Sequence, residues 1–187
     1  AHLNKINVFP VPDGDTGTNM ALTLSAIIDG TYNRSVAKIN DYLDLVANCA
    51  LDGARGNSGT IFAQFFVGFS EGARSIENKM TTNNFVAAIS SASNHAHKAL
   101  SEPKEGTILT VIRDFCDEIT QQMSNHMEKD FSSLMEQGLK RAQTSLANTT
   151  QQLKALKELR SAIKEIQKAM EFESPFDAFF KGLTGGK

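Results

Sequence analysis

The feature that most limits the fold is a period. From about residue 18 onward, apolar residues recur at intervals of three and four, and no stretch alternates as a half-buried strand would. The most regular run carries Ile108, Val111, Ile112, Phe115, Ile119 and Met123, which fall on one helical face. Spacing of this kind predicts helices over 18–29, stopped by Gly30, and over 41–51, capped by Asn40 or Asp41 and burying Leu43, Val46, Ala47 and Ala50. A third helix follows residue 60 with Ile61, Phe62, Phe65, Phe66 and Phe69. A fourth, capped by Thr82, runs over 82–100 with Phe85, Ile89, Ala92 and Ala96 on one face. Beyond the run from Ile108, two more are expected over 130–147 and 150–170. Asn-Gly hairpin signals are absent. The pattern therefore implies an all-α bundle or barrel, and 187 residues suffice for one sizeable domain with its own core.

Bulk properties exclude several classes. A net charge of −2 leaves no basic footprint for nucleic acid. No apolar run is long enough to span a bilayer. Cys49 and Cys116 lie in apolar-periodic stretches without a CxxC partner, which predicts buried free thiols in a reducing cytoplasm. The chain opens almost directly on its most distinctive motif, so it is expected to be a piece of a larger protein.

That motif is Asn7-Val8-Phe9-Pro10-Val11-Pro12-Asp13-Gly14-Asp15-Thr16-Gly17-Thr18-Asn19-Met20. Asp13 and Asp15 project hard oxygen ligands from a tight turn, which suits Mg²⁺ or Ca²⁺. The glycines expose backbone N–H groups, and the helix start behind them favours an anion. An ordinary solvated turn would use the same residue types. An EF-hand loop counted from Asp13 would need Gly and Glu where Thr18 and Leu24 stand, so it is excluded.

Two further glycine-bearing breaks precede helices. One reads Gly53-Ala54-Arg55-Gly56-Asn57-Ser58-Gly59-Thr60, the other Ser101-Glu102-Pro103-Lys104-Glu105-Gly106-Thr107. Alone, the first could be a connector whose glycines permit close packing, and the second a simple helix cap. Arg55 could neutralise charge or lie idle on the surface.

Taken together, the three strings resemble the DhaL (Dak2) family, the nucleotide-binding domain of dihydroxyacetone kinases and of bacterial fatty acid kinase. The form FPVPDGDTGTN is similar to the fatty acid kinase branch, whereas dihydroxyacetone kinases typically show an IGDGDHG-type loop. The resemblance spans about residues 3–146 and implies a helical barrel with the nucleotide at one end. It implies Asp13 and Asp15 as catalytic and Mg²⁺-holding residues, with Asn7 as a neutral third metal ligand where dihydroxyacetone kinases carry aspartate. Thr16, Gly17, Thr18, Asn19, Asn57, Ser58, Gly59, Gly106 and Thr107 would hold ATP or ADP. It further implies a cytoplasmic kinase, a fatty-acid-carrying protein as partner, and a homodimer, if any, formed through other domains. A dihydroxyacetone kinase L subunit and a non-catalytic nucleotide-binding or scaffold module are the rival readings.

The carboxyl-terminal part departs from the family. Where members carry a V-V-D-A-G-G-type segment, residues 155–163 read as plain helix. Lys154, Lys157, Arg160, Lys164 and Lys168 make one side of that helix basic, which reads first as a solvated face. The tail carries Phe176, Phe179, Phe180 and Leu183, either a short helix over the bundle or a segment for a missing partner. His95 and His97, two apart on a helix, point to different sides and are expected as one packed and one solvent-facing histidine rather than a metal pair.

Overall fold

The computed structural model describes residues 2–6, 14–125 and 130–170. Seven helices follow one another, α1 (His2–Ile6), α2 (Thr16–Thr31), α3 (Ile39–Gly53), α4 (Gly56–Gly72), α5 (Thr82–Lys98), α6 (Ile108–Asn125) and α7 (Phe131–Met170), and the described residues contain no strand. Each helix from α3 to α7 packs on the next, and α2 lies against both α3 and α4. The all-α expectation holds. None of the described helices is long and apolar enough to cross a membrane.

Small residues set how closely the helices approach. A Cβ on Gly68 of α4 would lie 2.7 Å from the Ser91 carbonyl oxygen and 2.8 Å from Ala92 Cα; one on Gly72 would lie 2.7 Å from Ala88 Cα. Opposite them, α5 presents Ala88, Ala92 and Ala96, all fully buried. The backbones of α4 and α5 therefore meet almost without intervening side chains, and the larger residues fill the space to either side. Ile89, Cys116 and Ile119 form one buried cluster with Phe65, Phe69, Phe85 and Phe115 around it. Phe85 bridges to Phe69 and to Phe131 of α7 through edge-on ring contacts.

The helix ends show where local signals were read correctly and where they were not. Thr81, not Thr82, caps α5: its hydroxyl accepts the Asn84 N–H while Asn84 Oδ1 accepts the Thr81 N–H. Neither Asn40 nor Asp41 caps α3, which starts at Ile39 behind Lys38. Gly30 does not stop α2, which continues to Thr31; it is a contact glycine, its missing Cβ making room for Cys49 of α3. The break expected between 147 and 150 does not occur. Thr149 turns its hydroxyl onto the Leu146 carbonyl and α7 runs on through it, there being no glycine or proline to end it. Cys116 is buried as expected, but Cys49 is only partly so, and both are free thiols. His95 is partly packed beside Glu71, at 3.2 Å, while His97 is exposed. The apolar tail and the side chains of all five residues of the basic stripe lie outside the described residues.

Within the bundle lies a cavity of about 440 Å³. Its wall is wholly apolar and includes Phe62, Phe65, Phe66, Phe69, Phe85 and Phe115. With no polar group in that wall, it offers nothing to a phosphate or a metal ion.

Candidate functional site

The three glycine-bearing loops begin α2, α4 and α6. The first two meet directly. A Cβ on Gly56 would come within 2.5 Å of Asn19 Nδ2 and 3.7 Å of Asp15 Oδ2. Gly56 sits at φ +58°, a conformation that glycine adopts without strain. Ser58 Oγ donates to the Thr16 carbonyl at 3.4 Å. One turn inside α4, Ile61 clusters with Ala96 and with Leu109 of α6, which brings the start of α6 to the same end of the bundle.

Asp15 stands at the first position of the α2 turn and leaves its helix uncapped by its own side chain. Asn19, one turn on, donates from Nδ2 to Asp15 Oδ2 at 2.8 Å and is itself buried. Behind it, the fully buried Thr23 donates to the Asn19 carbonyl and faces Gly59. A polar column thus runs from Asp15 into the α2–α4 contact and fixes the carboxylate.

Helix starts leave N–H groups without intrahelical acceptors. At α2, two of these are already used. Asn4 of α1 places its Oδ1 2.7 Å from the Gly17 N–H and 3.2 Å from the Thr18 N–H, and its Nδ2 donates to Thr18 Oγ1 at 2.9 Å. Nothing in the sequence marks Asn4 for this role. At α4, by contrast, the N–H groups of Gly56, Asn57 and Ser58 have no acceptor among the described residues. Arg55 is turned away from that end; its Nη1 donates to the Asp52 and Ala54 carbonyls, at 3.1 and 2.6 Å, and so caps α3. Gly56 and Asn57 are exposed, and Ser58 and Gly59 are buried against α2.

The third loop is internally tied. Gly106, at φ +76°, donates its N–H to Thr110 Oγ1 at 2.8 Å. Thr107 Oγ1 donates to the Lys104 carbonyl at 2.7 Å and receives the Leu109 N–H at 3.3 Å, so its hydroxyl is spent within the loop. Glu105 receives Thr110 Oγ1 at 2.7 Å and Arg113 Nη1 on its other oxygen. The Arg113 hydrogen bond, helped by Thr110, holds the Glu105 carboxyl below the usual carboxylate range, and Glu105 in turn raises Arg113. The Glu-Gly-Thr string stands out in the sequence, but nothing in its spacing marks Glu105, Thr110 and Arg113 as partners.

Asp13 and Asn7 lie outside the described residues. Among those described, no group of three His, Cys, Asp or Glu side chains is placed to hold a metal ion.

The sequence matches the DAK2 domain over residues 10–170. A protein of Staphylococcus saprophyticus, described as uncharacterized, is 39% identical over 157 residues, covering 84% of this chain and 28% of the relative. An uncharacterized protein of Staphylococcus aureus strain USA300 is 38% identical over 188 aligned residues, covering 99% of this chain and 33% of the relative. The chain therefore spans about a third of the length of these curated relatives. The helical fold, the three loops in order and the match over most of the chain agree: the chain belongs to the DAK2 domain family, whose DhaL-type domains are nucleotide-binding modules.

Proposed function

We propose that this chain is the nucleotide-binding domain of a kinase of the fatty acid kinase type. The observation that carries the reading is the meeting of the Asp15–Asn19 pair with the uncapped start of α4 at Gly56. A carboxylate and unused N–H groups side by side are what a cation–phosphate ligand requires.

Asp15 and Asp13, with Asn7 as a neutral oxygen donor, would hold Mg²⁺. The donors are hard oxygens, and the absent Cβ of Gly56 keeps the space beside Asp15 open, so the residues fit such an ion. Bound there, Mg²⁺ would neutralise charge on the nucleotide phosphates. The N–H groups of Gly56, Asn57 and Ser58 would take phosphate oxygens, while Gly59 keeps α4 close to α2. Of the α2 set, Asn19 orients Asp15, the Thr16 N–H and the Thr18 hydroxyl hydrogen have no acceptor among the described residues, and Gly17 gives Asn4 access to the turn. Thr107 would complete the ATP or ADP site through its backbone N–H, while Gly106, its own N–H held by Thr110, would set the turn that presents it. The γ-phosphoryl group would pass from ATP to the carboxylate oxygen of a fatty acid held by a separate carrier protein, giving acyl phosphate and ADP. No covalent nucleophile is needed; the chain contributes position and charge. Two free cysteines suit a cytoplasmic setting.

The FPVPDGDTGTN string supports this branch over a dihydroxyacetone kinase L subunit. A non-catalytic module is the one rival with an observation behind it, since α7 runs unbroken where the family has its glycine segment. Calorimetric titration with ADP and with ATP tests the proposal. Micromolar binding that needs Mg²⁺ and disappears in Asp15→Ala is expected. Absence of binding by the unaltered chain, or full affinity in Asp15→Ala, would overturn it. Binding without phosphoryl transfer by the full-length parent would favour the non-catalytic module.

A further inference from the structure

A polar chain runs from α7 to the third loop. Arg141 Nη2 contacts Asp114 Oδ2 of α6 at 3.0 Å, and Asp114 Oδ1 lies 3.6 Å from Arg113 Nη2. Arg113 Nη1 holds one oxygen of Glu105, and the other oxygen receives the Thr110 hydroxyl at 2.7 Å. A hydroxyl has a single hydrogen. With that hydrogen committed to Glu105, the lone pairs of Thr110 Oγ1 face the Gly106 N–H, 2.8 Å away and buried.

The two ends of this chain differ in exposure. The Glu105 side chain is 54% exposed and that of Arg113 40%, so their pairing adds little to global stability. Gly106 is buried, and the left-handed turn it makes sets where α6 begins. The N–H groups of Thr107 and Ile108, next in the chain, have no acceptor among the described residues. An exposed acid that fixes the hydrogen of a buried hydroxyl is a means of shaping a loop more than of holding a core.

We propose that Glu105 is a positioning residue: held by Arg113, it orients the Thr110 hydroxyl so that Gly106 is fixed and the first N–H groups of α6 are aimed at a bound nucleotide. This inference rests on the nucleotide reading above. Glu105 touches no ligand itself and acts through Thr110.

The test combines Mg–ADP titration of the 187-residue chain with amide exchange at Gly106 followed by NMR. Glu105→Ala is expected to weaken Mg–ADP binding about tenfold and to speed Gly106 exchange at least tenfold, with the midpoint of urea unfolding little changed. Thr110→Val, which keeps the shape but removes the hydroxyl, should do the same, and Thr110→Ser should restore both readouts. The double variant Glu105→Ala/Thr110→Val should be no worse than Thr110→Val alone, because the two residues act in series. Unchanged Gly106 exchange in Glu105→Ala would overturn the chain of contacts whether or not nucleotide binds. Fast exchange with unaltered affinity, or additive losses in the double variant, would overturn the positioning role. If the unaltered chain bound no Mg–ADP, the nucleotide reading and this role would fall, while the exchange result would still report on the contacts.

Discussion

The side-chain oxygen of Asn4 lies 2.7 Å from the Gly17 N–H, so the α2 helix is capped from α1 rather than by a residue of its own turn. Gly17 leaves room for that cap: a Cβ would stand 2.8 Å from the Asn4 oxygen and 3.1 Å from Leu3 Cβ, so a larger residue would push the cap aside. Asn4→Ala should lower stability by about 1 kcal/mol, the usual cost of losing a cap. Asn4→Asp is expected to keep the cap, since a carboxylate suits a helix start, yet to weaken Mg–ADP binding by adding negative charge beside the proposed phosphates. Urea unfolding and calorimetry on both variants check this. Equal nucleotide affinity in Asn4→Asp and the unaltered chain would place the phosphates away from α2.

Gly56 gives a second prediction. At φ +58° an added Cβ costs roughly 1–2 kcal/mol in backbone strain, and here it would also press on Asn19 Nδ2 at 2.5 Å. Asn19 cannot yield without leaving Asp15. Gly56→Ala should therefore lose Mg–nucleotide affinity by more than its loss of stability explains. A variant that folds less stably but binds normally once folded would show that the Asp15–Asn19 pair is not part of the site.

Much of this arrangement was legible in the sequence, and the failures have physical causes. Helical spacing identified the elements because each buries one continuous face, as Ile89, Ala92 and Ala96 do on α5. The loops were legible because glycine followed by hydroxyl and amide residues marks a helix start whatever binds there. Gly30 was misread because a stop glycine and a contact glycine look alike until the facing residue, Cys49, is known. The continuity through residues 147–150 is hidden because a polar Asn-Thr-Thr string resembles a connector, whereas the Thr149 hydroxyl bonds back along the helix and lets it continue. Asn4 was illegible because its partners lie 13 and 14 residues away, and a lone asparagine carries no periodic signal.

The α4–α5 contact predicts the cost of a single methyl group. At Gly68 the obstructing atoms are His95 Cβ, the Ser91 carbonyl oxygen and Ala92 Cα, none of which can rotate away. Gly68→Ala is expected to destabilise by about 1–3 kcal/mol through overpacking. Helix propensity alone would favour alanine by roughly 1 kcal/mol, so the sign of the change decides the matter. A stabilised Gly68→Ala variant in urea unfolding would mean that α4 and α5 stand further apart.

Burial pushes the Cys116 thiol up to about 12, with Ser93 opposing the shift. At pH 8 it is therefore almost wholly protonated, and the thiolate is the reactive form. Cys116 should stay unmodified by a disulfide reagent in the native chain and react promptly once the chain is unfolded, whereas the partly exposed Cys49 should react first. Mass mapping after timed labelling distinguishes them. Labelling of both thiols at equal rates in the native state would mean that the cluster around Ile89, Cys116 and Ile119 opens readily.

Acidification gives the last prediction, and its sign follows from Glu105. The carboxyl is held below its ordinary value, 4.5, chiefly by the Arg113 hydrogen bond. A group whose folded value is depressed contributes its stability above the unfolded value and loses it as pH falls through the folded one. The Glu105–Arg113 contribution should thus be intact at pH 6, begin to fade below about 4.5 and vanish once the folded carboxyl is protonated. Because both side chains are substantially exposed, the loss should stay under about 1 kcal/mol. Loop order should respond more sharply than stability, since protonated Glu105 no longer needs the Thr110 hydrogen and can donate one of its own. Gly106 exchange, corrected for the intrinsic pH dependence of exchange, should therefore quicken across this window in the unaltered chain and stay flat in Glu105→Ala, where it is already fast. A parallel pH response in both proteins would assign the effect to some other carboxylate and leave Glu105 without a part in shaping the loop.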